Sequence, residues 1–287
     1  MYSKNLLKSL LTAGISLAGL SLAALIGPQQ KVHAYAGNAC ATEGSTAADG
    51  AMSADCDGTP SVMKIKFFEL GLCTSDPLTS STFSRANCEK TWESKNATGT
   101  TIDIPACIAK ACDIEGTVTK PSNGTYSHVY LIVNTQWDIK GKVYYNGKTY
   151  YTTSVDKAEN ENYNYSTPTD NVNNYATYNH RLTQMGGVGW GSNGCHDWSA
   201  SIDGQTPKAV LTNDLLATAT NQGECTASTK LIGSSDLPTA ITITDDTANY
   251  ELKWDVTHKG LWVDWDSGND PDGIGAGPFS LDLTVSD

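Results

Sequence analysis

From Ser61 to the last residues of the chain, apolar side chains keep returning at every second position, and that period restricts the fold more than any other feature. A strand sends successive side chains to opposite faces, so a period of two means half-buried strands rather than helices. Met63, Ile65 and Phe67 alternate with Lys64, Lys66 and Phe68. The clearest run goes from Tyr126 to Ile139: Val129, Leu131, Val133, Trp137 and Ile139 share one face, and His128, Tyr130, Asn134, Gln136 and Asp138 share the other. Between Lys142 and Tyr151, Asn146-Gly147 sits among Val and Tyr residues. A type I′ turn needs positive φ at both central positions, so this pair predicts a hairpin. Further strands are expected around Ile241–Ile243, Tyr250–Val256 and Phe279–Val285, and only Leu211–Asn221 reads as a short helix. Many strands with few helices predict an all-β chain, an antiparallel β-sandwich with long loops and disulfide staples.

The chain opens with Lys4 and Lys8, an apolar run from Leu10 to Ile26, a break at Gly27-Pro28, and the small-residue patterns Val32-His33-Ala34 and Ala34-Tyr35-Ala36. A basic start, an apolar middle and an A-x-A end predict a cleaved export signal over residues 1–34. No membrane span is then expected after cleavage. Residues 35–59 are small and polar and predict an extended arm; residues 60–287 predict a single β-sandwich domain. Within it, 156–194 is an insertion rich in Tyr and Asn that ends in a glycine-rich stretch, read as a long loop suited to recognition.

All eight cysteines lie beyond the leader. An even number in an exported chain implies disulfides, and eight cysteines allow about 105 pairings. Pairing sequence neighbours closes the shortest polar loops and gives Cys40–Cys56, Cys73–Cys88, Cys107–Cys112 and Cys195–Cys225. The charge suits solubility, divalent cations or a saline environment. Net charge is −12, and removing a leader with three lysines and no acids leaves 16 basic residues against 31 acidic. Such a surface repels nucleic acid, which is not expected as a partner.

Two clusters could carry chemistry. Asp264, Asp266, Asp270 and Asp272 are interleaved with turn-forming residues, an oxygen-rich segment that suits a hard cation such as Ca²⁺. An EF-hand is excluded, because Asn269 or Pro271 falls where the loop glycine belongs. Calcium is therefore the one cofactor expectation. Trp254, Trp262 and Trp265 lie on or beside the C-terminal strands, where flat rings could stack on sugars. Cys195-His196 is no thiol–imidazole pair, since adjacent residues in an extended chain point apart. The sequence holds no H-E-x-x-H and no G-x-S-x-G nucleophile elbow. No catalytic residue is nominated.

The stretch Pro121-Ser-Asn-Gly124-Thr-Tyr126-Ser-His-Val129-Tyr-Leu131-Ile-Val133 resembles the Gly-x-Tyr strand start of transthyretin-like, Ig-like β-sandwich domains in bacterial fimbrial subunits and surface proteins. Met63–Leu72, running into Cys73-Thr-Ser-Asp76, is similar to the opening strand of uncharacterised exported proteins of marine bacteria. The resemblance implies a sandwich with a surface or filament role and brings no catalytic residues. The expectation is a secreted or cell-surface protein without enzymatic activity, structural or adhesive, a filament-like subunit that associates with itself or with other surface proteins. The alternatives are a carbohydrate-binding module that takes glycans and a secreted hydrolase.

Overall fold

The computed structural model describes residues 38–41, 55–109, 112, 114–160, 163–183, 197–199, 201–265 and 270–286; the expected leader lies outside them. The chain begins with β1 (Asn38–Ala39), β2 (Cys56–Gly58), β3 (Pro60–Cys73), β4 (Leu78–Thr79), β5 (Thr82–Phe83), β6 (Cys88–Glu93) and β7 (Thr100–Asp103). A short helix α1 (Ile104–Ala109) leads to β8 (Thr117–Val118), β9 (Gly124–Asn134), β10 (Gln136–Tyr145) and β11 (Lys148–Tyr151). Then come β12 (Asp156–Asn160), β13 (Tyr163–Ser166), β14 (Tyr178–Arg181), β15 (Asp197–Ser199) and β16 (Lys208–Thr212). Helix α2 (Gln222–Ala227) precedes β17 (Lys230–Ile243), β18 (Asn249–Asp255), β19 (Leu261–Asp264), β20 (Gly273–Ala276) and β21 (Ser280–Ser286). The fold is all-β, and nearly all of its pairings are antiparallel.

The alternating run at β3 becomes the central strand of the larger sheet. One edge pairs with β9 and then β10, the other with β6 and β7. The run expected to be one strand from Tyr126 to Ile139 is divided at Thr135, whose backbone bonds turn away to Thr229 and Leu182. The Asn134 side chain fills the gap, accepting from the Lys66 backbone N–H at 3.0 Å. Asn146 and Gly147 have φ of 46° and 83°, the positive values a type I′ turn requires, and they join β10 to β11.

The odd residues of β9 and β10 enter the main core. Val129, Leu131, Val133, Trp137, Ile139 and Val143 pack with Met63, Ile65 and Phe67 and with Leu252, Trp254, Leu281 and Leu283 of the β18–β21 ribbon across the sandwich. Their opposite neighbours Tyr130 and Ile132 belong to a second cluster with Leu78, Val210 and Ile232. Burial on both faces explains the unbroken apolar stretch Val129–Val133.

The same double burial corrects the expected helix at Leu211–Asn221. Val210 faces the second cluster and Leu211 the main core, so both belong to strand β16, which runs on to Thr212. Asn213 then closes a turn by accepting from the backbone of Leu215 and Ala217. Helix α2 starts only at Gln222, where the Asn221 side chain caps it through the Glu224 N–H.

The smaller sheet has the order β1–β2–β19–β20–β13–β12. Its existence changes two expectations. Residues 35–59 do not form a free arm throughout: Asn38–Ala39 and Cys56–Gly58 are strands, and Cys56 is fully buried. The Tyr/Asn-rich segment is not one loop, because β12, β13 and β14 lie within it; Tyr165 and Tyr178 bury their rings, and the Tyr178 hydroxyl donates to Asp156 at 2.7 Å. Tyrosine joins a core while keeping a polar tip satisfied. The remainder, 184–196, lies outside the described residues.

The smaller sheet reaches the larger one at both sides. Ala41 bridges to Tyr144 of β10. On the other side the Ala276 N–H donates to Nδ1 of His180 on β14, which stands where a further strand would supply a carbonyl. Cys40–Cys56 ties β1 to β2, Cys73–Cys88 joins paired residues of β3 and β6, and Cys107–Cys112 closes the chain after α1. Cys225 is also oxidised; its expected partner Cys195 lies outside the described residues. These cross-links place folding in an oxidising compartment. Among the described residues no helix is long and apolar enough to cross a membrane.

Candidate functional site

The acidic segment and two of the tryptophans converge on the smaller sheet. In β2 and β19, Cys56 and Val263 turn to the main core, so Asp57 and Trp262, which are paired across the ladder, lie on the opposite face of the sheet, where Asp57 is itself buried. Trp262 is half-buried and meets Tyr165 edge-on, 5.2 Å between centroids. Gly273 and Gly275 of β20 leave room for that tyrosine, since a Cβ at Gly273 would stand 2.8 Å from the Tyr165 Cβ. Trp265 is half-buried against the core, and its backbone N–H donates to Asp55 at 3.0 Å.

Trp254 is elsewhere. It is 5% exposed and packs in the sandwich core 5.1 Å from Phe67 and 5.5 Å from Phe279. The expectation that it offers a ring to a sugar is therefore wrong: alternation puts Trp254 in register with Leu252 and Val256, and the face they share is the buried one.

The carboxylates of the acidic segment have local partners. Asp272 pairs with Lys157 at 2.9 Å, and its N–H donates to the Asp264 carbonyl at 2.8 Å. Asp270 accepts from the Tyr150 hydroxyl and lies 3.9 Å from Lys148. Burial and then Asp270 raise the Tyr150 hydroxyl well above its ordinary value. Burial, Asp55 and Asp272 together push Tyr145 up to about 12. Asp266 lies outside the described residues. Among the described residues no three carboxylate, imidazole or thiolate groups converge as metal ligands. The described carboxylates are thus arranged as partners for lysine and tyrosine, and no calcium chemistry is derived from them.

Two titratable groups at this sheet escaped the sequence reading. Asp57 is 1% exposed and its Oδ1 has no hydrogen-bond partner among the described residues; burial, with the neighbouring Asp55 charge, lifts its carboxyl to about 7. An uncharged acid is the form such a site favours. His180 is buried and held down to about 4 by desolvation, so its ring is neutral and Nδ1 is free to accept from Ala276. The only available signal for Asp57 was its place next to Cys56, whose burial on one face forces Asp57 to the other.

Family models, curated proteins and solved structures give no match. The functional reading therefore rests on the molecule's own geometry. That geometry is a hydrogen-bonded, cross-linked frame holding a buried imidazole and a buried carboxyl, with the half-buried Trp262 on the smaller sheet.

Proposed function

We propose that this chain is a non-enzymatic extracellular protein of the cell surface, structural or adhesive, able to associate with copies of itself. The observation that carries the reading is where the cross-links fall. Cys73–Cys88 and Cys40–Cys56 join strands that are already paired, so they brace the sheets against separation. Among the described residues β12 and β15 end their sheets, and an edge strand offers backbone groups for pairing with another chain. Negative-stain microscopy of the mature protein at high concentration should show ordered polymers. A monodisperse monomer in light scattering at every concentration overturns the self-association.

A second reading, a carbohydrate-binding module, is supported by Trp262 and its edge-on contact with Tyr165. Glycan-array binding that disappears in Trp262→Ala would establish it, and binding unchanged in that variant would remove it.

A further inference from the structure

The outer face of the larger sheet carries a row of lysines on three of its strands. Lys64 and Lys66 point outward from β3, opposite the buried Met63, Ile65 and Phe67. Lys140 and Lys142 do the same on β10, opposite Ile139 and Val143. Lys230 extends the row on β17, where it is paired across from Asn134, and its Nζ lies 4.7 Å above the Phe68 ring.

The chain has 31 acids against 19 bases, and several lysines off this row find carboxylates: Lys90 with Glu93, Lys157 with Asp272, Lys208 with Asp76, and Lys259 with Asp203 and Asp255. Lys64 and Lys66 are exposed and have no such partner among the described residues. Lys140 lies 4.3 Å above the ring of Tyr175, which in turn is 5.1 Å from Tyr151. Carboxylates share this face as well: Glu69 is paired with Arg85, and Asp103 and Asp138 stand across from Lys64 on β7 and β10. Asp103 is engaged by the Met63 N–H at 3.1 Å and Asp138 by the Asn179 amide at 2.7 Å.

We propose that this row is a docking surface for a linear anionic polysaccharide, a polymer bearing regularly spaced carboxylates or sulfates. The basic residues follow the strand direction. From the level of Asn134 to that of Lys142 they span eight positions, roughly 25 Å at about 3.3 Å per residue. A row of that length suits a chain laid along β10 better than a compact anion. The rings of Tyr151 and Tyr175 at one end add flat apolar surface beside the charges. At physiological salt the Debye length is about 8 Å, so the local row outweighs the distant net negative charge. The inference rests on the extracellular reading for the place where such polymers are met, and it supplies the adhesive role with a partner class. It does not depend on self-assembly.

The test uses the secreted, disulfide-bonded chain and three probes, polygalacturonate, neutral dextran and poly-L-glutamate, in biolayer interferometry at rising NaCl. Binding to polygalacturonate that weakens with salt, with no response to dextran and a weaker one to poly-L-glutamate, is the expected result. The double variant Lys64→Gln/Lys66→Gln, both positions being exposed, should keep the wild-type melting temperature and lose about fivefold or more in affinity. Lys120→Gln, at the far end of β9, should bind as wild type. No binding, binding equal for poly-L-glutamate, or binding unchanged in the double variant overturns the proposal. So does a double variant that binds normally but no longer polymerises, because the row would then be a contact between copies of the chain. Polymers that persist in the double variant while polygalacturonate binding falls separate this surface from the assembly surface.

Discussion

Trp254 and Trp262 show how much one position on a strand decides. They are eight residues apart and read alike in the sequence, yet one is core and the other lies half-open on the outside of a different sheet. Trp254 touches Phe67 and Phe279 and is nearly closed to solvent. Trp254→Ala should therefore cost about 3–5 kcal/mol, from lost burial and the cavity left behind. Trp262→Ala removes a ring packed on one side only and should cost less than half as much. Chemical denaturation of the two variants checks the ordering; equal costs would mean that Trp262 is as much a core residue as Trp254. The alternation around Trp254 contained this answer, because Leu252 and Val256 share its face. What alternation cannot supply is which of two sheets a short strand joins, and β19 holds only four residues.

Among the elements, the long strands were legible and the short ones were not. β3, β10, β18 and β21 follow the period of two, and the turn between β10 and β11 follows from Asn146-Gly147. Strands of two to five residues, such as β2, β12, β13 and β14, are set by their neighbours rather than by their own pattern, and they lie where a polar arm and a long loop were expected. In β16, sandwiched between two clusters, burial on both faces erased the alternation and imitated a helix. The segment between Cys73 and Cys88 belongs to this context-dependent class. Its small β4–β5 hairpin lays Leu78 and Phe83 over Tyr130 and Ile132, and few backbone bonds hold it there. The disulfide closes a loop with a sequence separation of 15, so replacing both cysteines by alanine should destabilise the chain by about 3 kcal/mol. It should also loosen the hairpin first. Hydrogen exchange in residues 74–87 of that variant would reveal this, and exchange no faster than in wild type would show that Leu78 and Phe83 hold the segment unaided.

At the scale of the whole molecule, two buried titratable groups near the joins between the smaller and the larger sheet respond to pH in opposite directions. His180 closes one side only while neutral. Its folded value of about 4 lies below the ordinary 6.5, so its contribution is complete above pH 6.5 and is lost as pH falls toward 4. Asp57 in β2, beside the other closure, has a folded value of about 7 against an ordinary 3.8. The folded chain therefore keeps a proton that the unfolded chain gives up. The Asp57 contribution is complete below pH 3.8 and is lost as pH rises toward 7. Each group changes stability by about 1.4 kcal/mol per pH unit within its window, with opposite signs, so between pH 4 and 6.5 the two slopes cancel. The compensation is invisible in the wild type and is exposed by removing one partner. Asp57→Asn, which mimics the protonated acid, should match the wild type at pH 3.5 and exceed it by on the order of 4 kcal/mol at pH 8. Its stability should fall from pH 6.5 to 4, because the loss from His180 is no longer offset by Asp57. Urea denaturation of both proteins across that range decides the matter. Curves that stay parallel from pH 4 to 8 would mean that Asp57 is ionised in the folded chain, in contact with solvent or a cation, and that no such balance exists.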